Sequence, residues 1–175
     1  RVHTGDPAIY GAHREQMDRL DELGIDYEVI PGVSSFLATA AVLKKEYTLP
    51  GVSQTVILTR MEGRTPMPPK EKLVDLAKHN ATMIIFLSVG MLDEMSAILR
   101  QEYRPETPVA VVYKATWEDQ KIVRGDLTNI AERVKEAGIT KTALTVVGDF
   151  LGNDYDLSKL YDKTFTTEFR KGVTE

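Results

Sequence analysis

Apolar and polar positions change period several times along the 175 residues, and each change marks an element. Between Asp6-Pro7 and Gly24, the apolar residues Tyr10, Met17 and Leu20 recur at helical spacing. Asp6 suits an N-cap and Pro7 the first helical position, so the pattern predicts an amphipathic helix of about four turns. Tyr27-Glu28-Val29-Ile30 is a short β-prone run closed by Pro31-Gly32, after which Ser34 or Ser35 caps a second helix carrying Phe36, Ala40 and Leu43. With the strand-like start ahead of Thr4, the order is βαβα, the pattern of a mainly parallel sheet covered by helices.

Leu49-Pro50-Gly51 interrupts the pattern and predicts a domain boundary, dividing the chain into 1–49, 50–153 and a tail, 154–175. Beyond it, strands are predicted over 55–59, 82–87, 109–113 and 143–147, with an edge strand over 121–125. Helices are predicted around Leu73, Leu76 and Ala77, through Leu92, Met95, Ile98 and Leu99, and from Leu127 to a C-cap at Gly138. Residues 61–69 are interrupted by Gly and Pro and read as a loop. The tail is polar, with Tyr161, Phe165 and Phe169 spaced four apart.

Composition narrows the chemistry. There are 22 Lys plus Arg against 26 Asp plus Glu, a formal charge of −4, which argues against a nucleic-acid or anionic-membrane binder. The absence of Cys excludes disulfides, thiolate metal sites and thiol catalysis, and suits a reducing cytoplasm, the expected location. His3, His13 and His79 have no metal-ligand spacing, so no metal site is expected. No apolar run approaches the roughly 20 residues that cross a bilayer. The chain opens on Arg1 without a Met, as if at the end of a strand, which leads to the expectation of a preceding segment.

Three segments could carry chemistry. Thr4-Gly5-Asp6-Pro7 sits at a strand-to-helix junction, where open α/β sheets bind ligands through free backbone N–H groups; the same residues are also an ordinary helix start. Pro31-Gly32-Val33-Ser34-Ser35 repeats that geometry one unit later, and two such loops on one sheet edge can enclose a ligand. The third is the loop from Thr59 to Pro69, where Arg60 and Arg64 offer planar forks for carboxylates, with Lys114 as a further cation. A solvated loop is the plainer reading of that segment. Gly-x-Gly-x-x-Gly, P-loop and Gly-x-Ser-x-Gly motifs are all missing, which removes support for a dinucleotide enzyme, a nucleotide triphosphatase and a serine hydrolase of the usual type.

The segments Thr4-Gly5-Asp6-Pro7-Ala8-Ile9-Tyr10-Gly11, Pro31-Gly32-Val33-Ser34-Ser35 and Val109-Ala110-Val111-Val112-Tyr113-Lys114-Ala115-Thr116, followed by Arg124-Gly125, resemble successive motifs of the tetrapyrrole methylases. Gln54-Thr55-Val56-Ile57-Leu58-Thr59-Arg60 with Glu62-Gly63-Arg64-Thr65-Pro66 resembles the branch that methylates C11 of precorrin-4 or cobalt-precorrin-4 in cobalamin biosynthesis. The resemblance implies an α/β fold with a parallel-sheet N-terminal domain, partial here, and a mixed-sheet C-terminal domain. It further implies a homodimer with S-adenosylmethionine in the cleft between domains and a tetrapyrrole substrate. On that pattern Thr4, Gly5, Asp6, Ile9, Ser34 and Ser35 touch the cofactor, Leu87 and Ala115 close the pocket, and Arg60, Arg64 and Lys114 meet substrate carboxylates. The family's Gly-x-Gly-Pro-Gly loop, which precedes such a Gly-Asp-Pro motif, has no counterpart in these residues. Two other expectations therefore stand beside the first: a non-catalytic dimerising or ligand-binding module, and another methylase of the family, acting on uroporphyrinogen or diphthine.

Overall fold

The computed structural model describes residues 1–173. Two helices come first, α1 (Arg14–Glu22) and α2 (Ser35–Leu43). They are followed by β1 (Val56–Arg60), α3 (Leu73–Ala77), β2 (Thr82–Phe86), α4 (Leu92–Leu99), β3 (Pro108–Tyr113), β4 (Lys121–Asp126), α5 (Ile130–Glu136) and β5 (Ala143–Val147). The strands form one mixed sheet in the order β1-β2-β5-β3-β4. β1 and β2 pair in parallel, while β5 is antiparallel to both β2 and β3. β1, β2 and β3 consequently run the same way, and their carboxyl ends share one edge of the sheet.

Alternation along the strands builds two cores. Met83, Ile85, Val109, Val111 and Val147 face α3, α4 and α5, where Met95, Leu99 and Ile130 are fully buried. Ile84, Phe86, Ala110, Val112, Leu144 and Val146 face the other way, onto Leu43, Tyr47 and Phe150, with Ile9, Phe36, Ala40 and Ala115 packed around them. Period-2 side chains buried on both faces explain why these strands read as nearly continuous apolar runs. β4 lies at the edge, as expected from its polar sequence.

Three helices close in the same manner. At α1, Ile25 N–H bonds to Leu20 C=O and Gly24 N–H to Asp21 C=O; α5 repeats this with Ile139 to Val134 and Gly138 to Lys135. The 6→1 and 5→2 bonds need a left-handed residue, and Gly24 and Gly138 supply it. At α2 the same position is Lys44, with φ 54°.

The N-terminal elements differ from expectation. Helix α1 begins at Arg14 rather than near Pro7, because Tyr10 and Ala12 take left-handed φ values of 56° and 48° and break any continuous helix there. Asp6 is therefore not its cap. Residues 27–30 form no strand: Tyr27, Val29 and Ile30 are exposed, and no neighbouring strand among the described residues offers the ladder bonds that a strand requires. Ser34 occupies the N-cap position of α2, but its C=O, not its side chain, engages the first turn.

Candidate functional site

The carboxyl ends of β1, β2 and β3 bring Arg60, Leu87 and Lys114 to one edge. Leu87 follows β2 in left-handed backbone, φ 54°, and the residue is 76% exposed. Lys114 and Thr116 follow β3 with φ 46° and 73°, and Ala115 between them packs against the core face that also holds Ile9. Non-glycine residues in this region are strained by about 1–2 kcal/mol each, and such strain concentrates at functional sites. Three of them lie on this one edge.

Both N-terminal turns reach the same place. The Tyr10 ring sits 5.1 Å from the Phe86 ring at the end of β2, and Ile9 joins the core cluster containing Phe86 and Ala115. Tyr10 also feels Arg60 and Glu71, although partial burial is the larger influence and holds its phenol above the usual tyrosine range. The turn at Thr4–Ile9 is joined in turn to the segment before α2. Asp6 Oδ2 accepts from Gly32 N–H at 2.8 Å, and Asp6 Oδ1 accepts from Ala8 N–H at 2.8 Å. The Gly32 bond is the leading reason that the Asp6 carboxyl lies below its ordinary range. Backbone approach is close enough that a Cβ on Gly32 would fall 2.1 Å from Gly5 C=O. Gly5, with φ 68°, faces Ser34 and Ser35. Thr4, Gly5, Asp6, Ser34 and Ser35 thus form one cluster, with Ser34 buried and Ser35 exposed at the start of α2.

The cations divide. Arg60 donates to three carbonyls of the following loop, Met61 C=O at 3.0 Å, Thr65 C=O at 3.2 Å and Pro66 C=O at 3.0 Å, so its fork shapes the loop. Arg64 lies exposed within that loop. The Lys114 ammonium donates to Asp119 at 2.5 Å and sits over the Tyr113 and Trp117 rings. The Asp119 bond holds Lys114 above its ordinary range and Asp119 below its own. Two concavities flank the sheet. One of about 500 Å³ opens at the opposite edge, between Ser53, Thr55, His79 and Asn80. Another of about 330 Å³ runs from Arg60 between the loop and α3 and α4.

Sequence reasoning missed Tyr10 and Phe86 as the link between turn and sheet, and Ser88, whose buried hydroxyl donates to Phe86 C=O and accepts from Met61 N–H. The only signal for Tyr10 was an aromatic immediately before Gly11, where a Cβ would run into Pro7 C=O.

The sequence profile described as Tetrapyrrole (Corrin/Porphyrin) Methylases matches residues 1–131. The chain belongs to the tetrapyrrole methylases. Among its relatives, the cobalt-precorrin-4 C(11)-methyltransferase of Methanocaldococcus jannaschii is 62% identical over 173 residues, covering 98% of this chain and 67% of that protein. The precorrin-4 C(11)-methyltransferase of Mycobacterium tuberculosis strain H37Rv is 51% identical over 153 residues, covering 86% of this chain and 61% of that one. The X-ray structure of a cobalt precorrin-4 methyltransferase superposes with a TM-score of 0.85 at 48% identity, covering 87% of this chain and 64% of the other. A uroporphyrin-III C-methyl transferase from Thermus thermophilus, solved with S-adenyl homocysteine, shares the fold at a TM-score of 0.68 and 24% identity; the match covers 84% of this chain and 64% of that one. The chain spans about two thirds of the length of these tetrapyrrole methylases.

Proposed function

We propose that the protein is an S-adenosylmethionine-dependent methyltransferase acting on C11 of cobalt-precorrin-4 or precorrin-4. The observation that carries this reading is the 62% identity, across 98% of the chain, with a relative bearing that name. The geometry agrees with it. A methyl donor needs a backbone cradle rather than an acid–base pair, and the contact of Gly5 with Gly32, Ser34 and Ser35 supplies a cradle at a strand-end edge.

When bound, S-adenosylmethionine supplies the methyl on a sulfonium, a leaving group that needs no protonation. What this chain adds is proximity, alignment and exclusion of water. Thr4, Gly5, Asp6 and Ile9 present one turn, Ser34 and Ser35 the start of α2, and Leu87 and Ala115 the ends of β2 and β3, with Ala115 in the same apolar cluster as Ile9. Leu87, with its side chain exposed, is available to cover an apolar part of the ligand. Arg64 is the free fork for substrate carboxylates, and Lys114 is a second cation for which a substrate carboxylate competes with Asp119. Arg60 serves the same substrate by holding the loop in shape.

The protein acts in the cytoplasm as a homodimer, a state supported by the exposed apolar side chains Ile30, Val33 and Leu37; light scattering on the purified full-length protein should give twice the chain mass. Calorimetric titration of that protein with S-adenosylhomocysteine tests the donor site. Single-turnover methylation of cobalt-precorrin-4 and of precorrin-4 tests the substrate. Binding followed by transfer to C11 is expected, and a full-length protein that binds no S-adenosylhomocysteine would sink the reading.

A further inference from the structure

The Asp6 carboxylate bridges two backbone segments. Each of its carboxylate oxygens accepts one backbone N–H, from Ala8 within its own turn and from Gly32 in the next, both at 2.8 Å. The first bond closes the turn Asp6-Pro7-Ala8 as an Asx turn and orients the carboxylate. The second joins segments 26 positions apart in the chain. An independent feature of the same contact is steric. Gly32 lies so near Gly5 that a Cβ would be 2.1 Å from the Gly5 carbonyl oxygen and 3.6 Å from Asp6 Cα, so the approach that the carboxylate bridges is open only to glycine.

We propose that Asp6 is a positioning residue whose carboxylate sets the spacing of the Thr4–Ile9 turn and the Pro31–Ser35 segment, and through that spacing the shape of the methyl-donor cradle. This rests on the donor site proposed above. The backbone of Thr4 and Gly5, and the residues at the start of α2, are what the clamp leaves facing outward, with Ser35 exposed and Gly5 exposed. Preorganised backbone groups raise affinity by removing the ordering step from binding. An amide in place of the carboxylate can accept only one of the two N–H groups, and its own NH2 then meets the other donor. Asp6→Asn therefore opens the clamp at nearly constant size. Gly32→Ala opens the same contact from the opposite side.

Two measurements on the full-length protein test this. Amide hydrogen exchange without ligand reads the clamp itself. The Gly32 amide should be protected in the wild type and exchange more than tenfold faster in Asp6→Asn, with the β2 and β5 amides unchanged as proof of folding. Titration with S-adenosylhomocysteine reads the consequence: Asp6→Asn and Gly32→Ala should each weaken binding at least tenfold. The double variant should be little worse than either, because both break one contact. An unprotected Gly32 amide in the wild type overturns the clamp, whatever the binding result. Lost protection with unchanged affinity, or fully additive losses in the double variant, overturns the positioning role. A protected amide in a wild type that binds no S-adenosylhomocysteine overturns the donor reading, and the positioning role with it, while leaving the Asp6–Gly32 bond as fold chemistry alone.

Discussion

The rings of Tyr10 and Phe86 meet at 5.1 Å between centroids with an interplanar angle of 52°, and this pair docks the first turn onto the end of β2. Tyr10 is 46% exposed and in left-handed backbone, so little else explains its position. Aromatic pairs contribute about 0.5–1.5 kcal/mol beyond their buried area. Tyr10→Phe should therefore leave stability near the wild type, and Tyr10→Ala should lose about 1 kcal/mol in urea denaturation, with weaker S-adenosylhomocysteine binding. Equal stability and affinity for Tyr10→Ala would show that the ring pair does not hold the turn.

Arg60 and Arg64 should separate in function although they stand four residues apart. Arg60→Lys replaces a fork that reaches three carbonyls with a point donor, so the loop should loosen. Limited trypsin digestion should then cut after Arg64 at least several-fold faster. Arg64→Gln should leave the loop's remaining protease sites as slow as before while raising the KM for the tetrapyrrole. An unchanged loop in Arg60→Lys would remove the shaping role of Arg60, and an unchanged KM in Arg64→Gln would remove the substrate role of Arg64.

What was readable in the sequence and what was not follow from the range of the interactions. The strands β1, β2, β3 and β5 are buried runs, so Ile84-Ile85 or Val109-Ala110-Val111 announce themselves locally. Residues 27–30 have the same β-prone composition, yet strand formation depends on a partner that composition does not encode. The two turns do meet, but not as the ends of parallel strands, because no strand precedes either of them among the described residues; the agent of the meeting, the Asp6 carboxylate on Gly32 N–H, looked like a helix cap because Asp-Pro serves both purposes. Arg60 resembled a free anion receptor because the loop carbonyls that hold it become convergent only on folding. The strained positions were hidden for a related reason: Leu87, Lys114 and Lys44 adopt a backbone that sequence reading assigns to glycine.

Lys44 and Leu87 both have φ 54°, the former ending α2 and the latter on the candidate site. Relief of left-handed strain, about 1–2 kcal/mol, outweighs the added chain entropy of glycine, about 0.4–1 kcal/mol. Lys44→Gly and Leu87→Gly should each stabilise the protein by roughly 0.5–1 kcal/mol, a rise in Tm of a few degrees. Only Leu87→Gly should weaken S-adenosylhomocysteine binding. If Leu87→Gly gains stability without losing affinity, its exposed side chain is not part of the donor site.

Alkaline pH should expose a different dependence. Tyr47 donates to Phe36 C=O at 2.6 Å and Tyr103 to Ala81 C=O at 2.5 Å, and both rings are buried. Burial raises both phenols well above their ordinary value of 10.0. For an acid whose folded pKa is raised, the native state keeps its proton while the unfolded chain releases it. The unfolded state then binds fewer protons, and stability falls as pH rises above about 10. Below that value the contribution of both groups is complete, so neither produces a slope between pH 7 and 9. Each group adds about 1.4 kcal/mol per pH unit to the decline until its folded form ionises. Chemical denaturation at pH 9, 10 and 11 should therefore show a steepening loss, made shallower in Tyr47→Phe and in Tyr103→Phe by up to about 1.4 kcal/mol per pH unit each. At pH 7 each variant loses one hydrogen bond, and Tyr103→Phe also takes the donor from the buried Ala81 C=O, a cost of about 1–3 kcal/mol. A mutant that is weaker at neutral pH and yet less sensitive to alkali is the signature of this mechanism. Parallel stability curves for the wild type and both variants from pH 9 to 11 would remove Tyr47 and Tyr103 as its source.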